Sequence, residues 1–453
     1  MRKYVMASLL VGMGLGLAPG WAQHPANEVP ARQAPAPARP LSALEGAFAA
    51  ADMGDLAPLR RALPAARGDA AALIRARLAL ARFDPLPANA ALARIAAGPD
   101  PILRREALSI LTTDALLRGA YQDAGRWGRT LNGADVARGD AARAGESERT
   151  AQVAALLVGH PRQTIEGAIA RRSIPARTDR VGLPRIDVAV NGQAQEAVFD
   201  TGAGLSVLSA ETARRLGVTA LEGEARVGNG VRGTVAVRLG VADRLEIAGT
   251  MLRNVPFLII DDSQLTFPLP GGYDIRAIIG LPVIRALGRV RMEPAAGRFT
   301  VLAAEQPRRG EANLVSDGGQ LFVAVGIEGR DVPLHLDTGA NHSSLTALYA
   351  ADHPDRIAAL STGDAHAGSA GGTTSARVAQ WRGAPLALAG RTMLLPSLPI
   401  ELPGQGGPPP RNYGNLGSDA LRAFESYTLD FEAMRLELGP PVPAPTAAPA
   451  PAH

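Results

Sequence analysis

The chain has 453 residues, a formal net charge of +4, 46% hydrophobic and 4% aromatic residues, and no cysteine. This length allows two or three domains, and the missing cysteine excludes disulfides and a lipid-modified N-terminal cysteine. Nearly all the basic residues are arginines interspersed with Asp and Glu, so the basic pI does not indicate a nucleic-acid-binding surface.

The N-terminus has the three parts of a secretory signal peptide. Arg2 and Lys3 precede the apolar run Val5–Ala18, and Gly20–Ala22 offers a cleavage site between small residues. The apolar run of 14 residues is short for a membrane span. Residues 1–22 are therefore predicted to be a signal peptide that directs the chain to the periplasm or the cell exterior. An uncleaved membrane anchor is the alternative.

Pro/Ala-rich segments at 23–40 and 440–453 are predicted to be a disordered linker and a disordered tail. Residues 41–177 are rich in Ala, Leu and Arg and are predicted to be helical. Helical spacing occurs in six segments: Leu41–Ala51, Leu56–Ala66, Asp69–Arg82, Ala88–Ala97, Pro101–Leu117 and Thr150–Gly159. These short helices indicate a stack of helical hairpins, resembling helical repeats, that binds a partner protein or packs on the rest of the chain.

The sequence after the helices is duplicated. The tetrapeptide Asp-Thr-Gly-Ala occurs at Asp200–Ala203 and again 137 residues later at Asp337–Ala340, each time after an apolar run. An apolar element ending in Gly280 or Gly417 follows each aspartate by 80 residues. Two copies are too few for a solenoid, so the duplication predicts two pseudo-symmetric lobes, residues 178–306 and 307–439.

Both copies have the same internal order. Alternating strands are joined at Asn191-Gly192 or Glu328-Gly329, dipeptides that favour hairpin turns. A Gly-rich stretch before further alternating residues predicts a mobile hairpin in each copy. The glycines of these hairpins are Gly228, Gly230 and Gly233 in the first copy and Gly368 and Gly371 in the second.

With two Asp-Thr-Gly-Ala turns and two later glycines at equal spacing, residues 180–440 resemble the two lobes of a pepsin-like or retropepsin-like aspartic protease on one chain. The resemblance, added to the predicted helices, implies a multidomain α+β protein in which the helical hairpin stack precedes a two-lobed all-β region. Together with the leader, it implies an exported aspartic endopeptidase that uses a water molecule held between Asp200 and Asp337. No metal or other cofactor is expected, because no His/Asp/Glu cluster has metal-ligand spacing.

The same resemblance assigns roles to the residues of the turns. Thr201 and Thr338 would brace the two turns across the lobe interface. The glycines Gly202 and Gly339 would let the backbone approach the carboxyl groups. Gly280 and Gly417 would pack beneath the loops, and the Gly-rich hairpins would be flaps that close over peptide.

Ala203 and Ala340 stand where many relatives have a hydroxyl that favours the charged carboxylate. Their presence predicts activity at weakly acidic pH. His342 is interpreted as a loop residue rather than a catalytic one.

A competing hypothesis treats the chain as an inactive peptide-binding or adaptor protein on the same fold. The expected partner is a peptide or protein substrate, with a further protein partner of the helical region left open. No stable membrane span is expected once the leader is cleaved. Because both lobes lie on one chain, a monomer is expected.

Overall fold

The computed structural model describes residues 4–6, 42–87, 89–228, 234–303, 312–369, 372–404 and 410–443. Within these ranges, helices are followed by a β-rich region in two halves, each of which closes into a six-stranded barrel. The predicted fold class, a helical stack followed by a two-lobed all-β region, is thereby confirmed. No helix in the described ranges has both the length and the apolar character needed to cross a membrane.

A short strand, β1 (Tyr4–Met6), precedes the helical region. The helices are α1 (Ala43–Asp52), α2 (Ala57–Ala62), α3 (Gly68–Leu80), α4 (Asn89–Ala96), α5 (Pro101–Leu117), α6 (Tyr121–Ala137) and α7 (Ala141–Leu156). Ser42 and Glu45 form a capping box at the start of α1, and Asp100 caps α5. The helices enclose an apolar core in which Phe48 and Leu73 are almost fully buried.

Helix α6 is missing from the sequence prediction, and α7 begins at Ala141 rather than Thr150. Gly125, Gly128 and Gly133 lower the intrinsic helix propensity of α6 and obscure its pattern. A Cβ atom at Gly128 would lie 3.1 Å from Cβ of Ala151 on α7. The glycine therefore allows close packing of two helices, which local propensity does not reveal.

In the described ranges, the first lobe contains thirteen strands and two α-helices. They are β2 (Thr164–Glu166), β3 (Arg172–Thr178), β4 (Pro184–Val190), β5 (Gln193–Phe199), β6 (Ser206–Ser209), α8 (Ala210–Arg215), β7 (Ala225–Gly228), β8 (Thr234–Ile247), β9 (Thr250–Ile260), β10 (Thr266–Phe267), β11 (Tyr273–Asp274), β12 (Ala277–Ile279), α9 (Leu281–Ala286), β13 (Arg289–Glu293) and β14 (Arg298–Leu302).

The second lobe repeats this order with ten strands and three helices in the described ranges. They are β15 (Leu314–Ser316), β16 (Leu321–Ile327), β17 (Arg330–Leu336), β18 (Ser344–Leu345), α10 (Ala347–Asp352), α11 (Pro354–Ala358), β19 (Ser361–Ser369), β20 (Gly372–Leu388), β21 (Arg391–Glu401), β22 (Gly414–Leu416), α12 (Ser418–Leu421), β23 (Tyr427–Asp430) and β24 (Arg435–Leu438).

The predicted hairpins are present in both lobes. Strands β4 and β5 are joined at Asn191-Gly192 and strands β16 and β17 at Glu328-Gly329, with φ values of 50° and 81° in the first turn and 51° and 78° in the second. Positive φ at both central residues matches the twist of the flanking strands, which sets the register of each hairpin.

The lobes are joined by a sheet with approximate two-fold symmetry. Strand β13 of the first lobe pairs antiparallel with β23 of the second, and Arg291 lies opposite Thr428, its counterpart in the repeat. The two lobes also contribute to one continuous apolar core. This continuity fixes the position of one lobe relative to the other, and therefore the position of their aspartate turns.

The helical region packs against both lobes. Arg77 of α3 donates a hydrogen bond to the carbonyl oxygen of Ser316 (3.2 Å), and Arg285 of α9 donates to that of Leu117 (3.3 Å). Arg411 forms an ion pair of 3.0 Å with Glu146. A cavity of about 410 Å³ lies between the helices and the lobes.

Several predicted features lie outside the described residues. They are most of the leader, the linker 23–40, Gly230, Gly233, Gly371 and the tail from residue 444. Of the leader, only β1 is described, and it pairs in parallel with β19. The signal peptide and the domain boundaries stay predictions.

Candidate active site

The two aspartates occupy matching turns at the ends of strands β5 and β17. The backbone N–H of Asp200 donates to the carbonyl oxygen of Ile279, and that of Asp337 to the carbonyl oxygen of Leu416, both at 3.0 Å. Both aspartates are fully buried. The same ladder position in each lobe therefore presents one carboxyl group at the lobe interface.

Each carboxyl group is held by the backbone of its own turn. Asp200 Oδ1 accepts hydrogen bonds from the N–H groups of Gly202 (2.8 Å) and Ala203 (3.1 Å). Asp337 Oδ1 accepts from Gly339 and Ala340, both at 3.0 Å. One oxygen of each aspartate is thus fixed, while Asp200 Oδ2 and Asp337 Oδ2 have no donor partner among the described residues.

The glycines of the turns bring the two carboxyl groups face to face. A Cβ atom at Gly202 would lie 2.5 Å from Asp337 Oδ1, and one at Gly339 would lie 2.5 Å from Asp200 Oδ1. Real Cβ atoms do not approach other atoms this closely, so any side chain here would displace the opposite carboxyl group. The structure therefore brings together the two sequence-predicted aspartates and both turn glycines.

The pKa of Asp200 lies well above its usual range. Burial is the main cause, because it penalises the charged form, and the neighbouring charge of Asp337 adds to it. The N–H donors of Gly202 and Ala203 oppose the shift only in part. A buried carboxyl pair of this kind retains one proton over a range in which an isolated aspartate would be ionised, and that proton belongs to the pair.

Two threonines connect the turns across the lobe interface. The hydroxyl of Thr201 donates to the carbonyl oxygen of Leu336 (2.7 Å) and accepts from the N–H of Thr338 (3.1 Å). The hydroxyl of Thr338 donates to the carbonyl oxygen of Phe199 (2.7 Å) and accepts from the N–H of Thr201 (3.0 Å). Both threonines are fully buried. The four hydrogen bonds fix the relative position of the two turns.

The later glycines lie against the loops that follow the turns. A Cβ atom at Gly280 would lie 2.7 Å from the carbonyl oxygen of Ala203, and one at Gly417 would lie 2.6 Å from the carbonyl carbon of His342. The hydroxyls of Ser206 and Ser343 accept hydrogen bonds from the N–H groups of these two glycines, at 3.1 and 3.0 Å.

The sequence analysis does not assign Ser206 and Ser343 a role, although they are counterparts in the repeat. It interprets His342 as a loop residue, and the structure places that side chain 44% exposed and 3.5 Å from Asp419.

The described residues on either side of each Gly-rich stretch form paired antiparallel strands. Gly228 ends β7, which pairs with β8, and Gly368 lies in β19, which pairs with β20. The first hairpin contributes Val227 and Val235 to an apolar cluster that reaches Ala203 beside the aspartate turn. Tyr121, Val153 and Leu157 of the helical region and its C-terminal turn belong to the same cluster. The described residues contain no group of three or more side chains suited to a metal ion.

The fold and the paired turns define a two-lobed β protein with the architecture of an aspartic protease. Residues 186–283, which contain Asp200 and Gly280, match the family described as aspartyl protease. The predicted resemblance to retropepsin-like aspartic proteases is confirmed, and the matched residues 186–283 lie within the first lobe.

Among solved structures, the chain is similar to a retropepsin-like aspartic protease from Rickettsia conorii. The identity is 16%, the TM-score is 0.20, and the match covers 31% of this chain and 94% of that one. No curated protein matches the chain.

Proposed function

We propose that the chain is an aspartic endopeptidase in which Asp200 and Asp337 form the catalytic dyad. One observation carries the proposal: two buried carboxyl groups, one from each lobe, are fixed through one oxygen and left without a donor at the other. Each aspartate is held by its own turn, and the pair is locked by the threonine hydrogen bonds. The unpaired oxygens are suited to bind one water molecule between them.

The chemistry follows from a dyad that carries a single proton. The ionised carboxylate accepts a proton from the water, whose oxygen attacks the carbonyl carbon of the peptide bond. The protonated carboxyl donates its proton to the carbonyl oxygen, which gives a tetrahedral diol. When the C–N bond breaks, the protonated carboxyl donates its proton to the leaving nitrogen while the other carboxylate takes a proton from a hydroxyl of the diol, so the dyad again holds one proton. This route needs no covalent intermediate.

The hairpins β7–β8 and β19–β20 are proposed to close over the peptide, with Gly228 and Gly368 in their strands. Closure excludes water and aligns the peptide bond with the dyad. The helical region is proposed to act as a packed part of the enzyme, since Arg77, Arg285 and Arg411 connect it to the lobes. A peptide or protein is the substrate, and the chain works as a monomer without cofactor.

Export is the remaining part of the proposal. Signal-peptide cleavage after Ala22 would release the mature protein into the periplasm or the medium. Expression in a bacterial host, fractionation and N-terminal sequencing test this. A mature N-terminus near Gln23 in the periplasm or medium is expected, whereas an intact N-terminus in the cytoplasm would contradict it.

The proposed activity is tested with the purified mature protein and an unstructured protein substrate such as reduced, alkylated casein. Cleavage that requires both aspartates supports the dyad. Peptide binding without cleavage at any pH would instead favour the alternative of an inactive binding protein.

A further inference from the structure

The side chains beside the aspartate are apolar in the first lobe and polar in the second. Two residues before the aspartate, the first lobe has Val198 and the second has His335. The residue paired with each in the adjacent parallel strand also differs, because Ile278 lies opposite Val198 whereas Asn415 lies opposite His335. An apolar pair in one lobe is thus replaced by a polar pair in the other, at matching positions of the fold.

His335 lies on the same face of its strand as Asp337. Side chains alternate along a strand, so residues two apart share a face, about 7 Å from each other. The flanking residues Leu334 and Leu336 point the other way, into the continuous core of the two lobes. In the first lobe, Val198 correspondingly belongs to the apolar cluster that contains Ala203 and the first hairpin. His335 therefore belongs to the wall beside the second aspartate.

A third polar residue extends this wall. Phe322 pairs with His335 in the antiparallel ladder of β16 and β17. Continuing this register by two residues places Gln320 opposite Asp337, and Gln320 lies on the same face of the sheet as Phe322. Gln320 is only 1% exposed, and the first lobe has Leu183 at this position. The polar set His335, Asn415 and Gln320 thus corresponds to the apolar set Val198, Ile278 and Leu183.

The polar wall presents hydrogen-bond acceptors that its own residues do not satisfy. His335 Nδ1 lies 3.3 Å from Asn415 Oδ1, which leaves Nε2 as an acceptor on a neutral ring. His335 is fully buried, and burial lowers the pKa of its imidazole. Among the described residues, neither His335 Nε2 nor Gln320 Oε1 has a hydrogen-bond partner. Buried polar groups are normally paired, so these acceptors point to a ligand that brings a donor.

We infer that the wall formed by His335, Asn415 and Gln320 is a substrate subsite that accepts an uncharged side chain with a hydrogen-bond donor. This inference rests on the proposed peptidase activity. A peptide bond attacked between the carboxyl groups has one flanking residue over each lobe. The substrate class is therefore a peptide bond that joins an apolar residue, held against Val198 and Ile278, to an amide- or hydroxyl-bearing residue, held against the polar wall.

A matched set of synthetic peptides tests the subsite. The peptides differ only at the two central residues, which are Leu-Leu, Leu-Asn, Asn-Leu, Leu-Ser and Ser-Leu, and kcat/KM is measured for each. Either the Leu-Asn and Leu-Ser peptides or the Asn-Leu and Ser-Leu peptides should be cleaved at least about tenfold faster than the Leu-Leu peptide. The reason is that an apolar residue at the polar wall leaves the buried acceptors unpaired.

The triple variant Gln320→Leu/His335→Val/Asn415→Ile gives all three wall positions the residues of the first lobe, and it should reverse this preference in favour of Leu-Leu. His353→Gln is the matched control. It removes a histidine of the same lobe that stacks on Tyr349 (4.0 Å between ring centroids), and it should keep the wild-type preference.

The outcomes separate the inference from the proposed function. Cleavage that depends on both aspartates but favours Leu-Leu in the wild-type protein overturns the subsite and leaves the peptidase intact. A preference for Asn or Ser that survives in the folded triple variant also overturns it. Cleavage of none of these peptides and of no unstructured protein overturns the proposed function itself. If the triple variant does not fold, as judged by circular dichroism, the test rests on the wild-type ratio of kcat/KM between the Asn or Ser peptides and the Leu-Leu peptide.

Discussion

Removing the hydroxyl of Thr338 tests directly whether the threonine hydrogen bonds hold the two lobes together. Thr338→Val keeps the shape of the side chain but removes its hydroxyl. The hydroxyl donates to the carbonyl oxygen of Phe199 at 2.7 Å and accepts from the N–H of Thr201 at 3.0 Å, and the residue is fully buried. The substitution therefore leaves one donor and one acceptor without partners in a place that water does not reach.

The expected loss of stability follows from the free-energy cost of leaving these two buried polar groups without hydrogen bonds. Each unsatisfied buried polar group costs about 1–3 kcal/mol, so Thr338→Val should lower the free energy of unfolding by about 2–6 kcal/mol. Thr338→Ser is the matched control, since it keeps the hydroxyl and loses only a methyl group, worth about 1 kcal/mol. Thr201→Val should behave like Thr338→Val, because its hydroxyl makes the reciprocal pair of bonds.

The assay is urea unfolding followed by circular dichroism, with stability compared between the Val and Ser variants. If Thr338→Val is within about 0.5 kcal/mol of Thr338→Ser, which is the usual spread of neutral substitutions, the four hydrogen bonds do not hold the lobes together. The same variants should lose kcat more than they raise KM, because the aspartates lose their alignment rather than their contact with peptide.

Three further predictions follow from single contacts. Gly339→Ala should abolish measurable cleavage of casein, because its Cβ atom would displace the Asp200 carboxyl group; activity near that of the wild-type protein would contradict the close approach. Asp317 has a pKa raised by burial to about 6, from 3.8, so its contribution to stability is full below pH 3.8 and is lost as the pH rises through about 6. Asp317→Asn should therefore raise the free energy of unfolding at pH 7 by about 1–3 kcal/mol and leave it unchanged near pH 3, and equal effects at both pH values would refute this. Arg411→Met should lower stability by about 1–3 kcal/mol, because it leaves Glu146 without its 3.0 Å ion pair; a Glu146→Gln/Arg411→Met double variant should recover part of that loss in thermal unfolding.

The duplicated sequence predicted most of the β region because its signals are local. Backbone conformation and side-chain period determine the alternating strands and the two turns at Asn191 and Glu328. The repeat itself gives the equal spacing from each aspartate to Gly280 or Gly417. A repeat that preserves this spacing can form two copies of one lobe. The two-lobed fold followed from that pattern together with the resemblance.

Other features depend on contacts between distant residues, which local pattern does not reveal. Helix α6 packs closely on α7 at Gly128, a contact between helices that its glycine-containing local pattern does not indicate. The docking of the helical region through Arg77 and Arg411 has no local signal. The polar wall at His335 could have been found by aligning the two copies residue by residue, since Val198 is its counterpart. Its burial and its unpaired nitrogen emerge only from the fold.

The dyad itself is tested most directly by cleavage of an unstructured protein across about pH 3–7, a range that brackets the pKa of an ordinary aspartate, with Asp200→Asn and Asp337→Asn beside the wild-type protein. The raised pKa of Asp200 and the alanines after both turns predict wild-type cleavage that is greatest at weakly acidic pH and falls as the shared proton is lost. Each single substitution should remove cleavage at every pH while the circular dichroism spectrum stays unchanged. Cleavage that persists in either folded variant would show that the two carboxyl groups do not act as a pair.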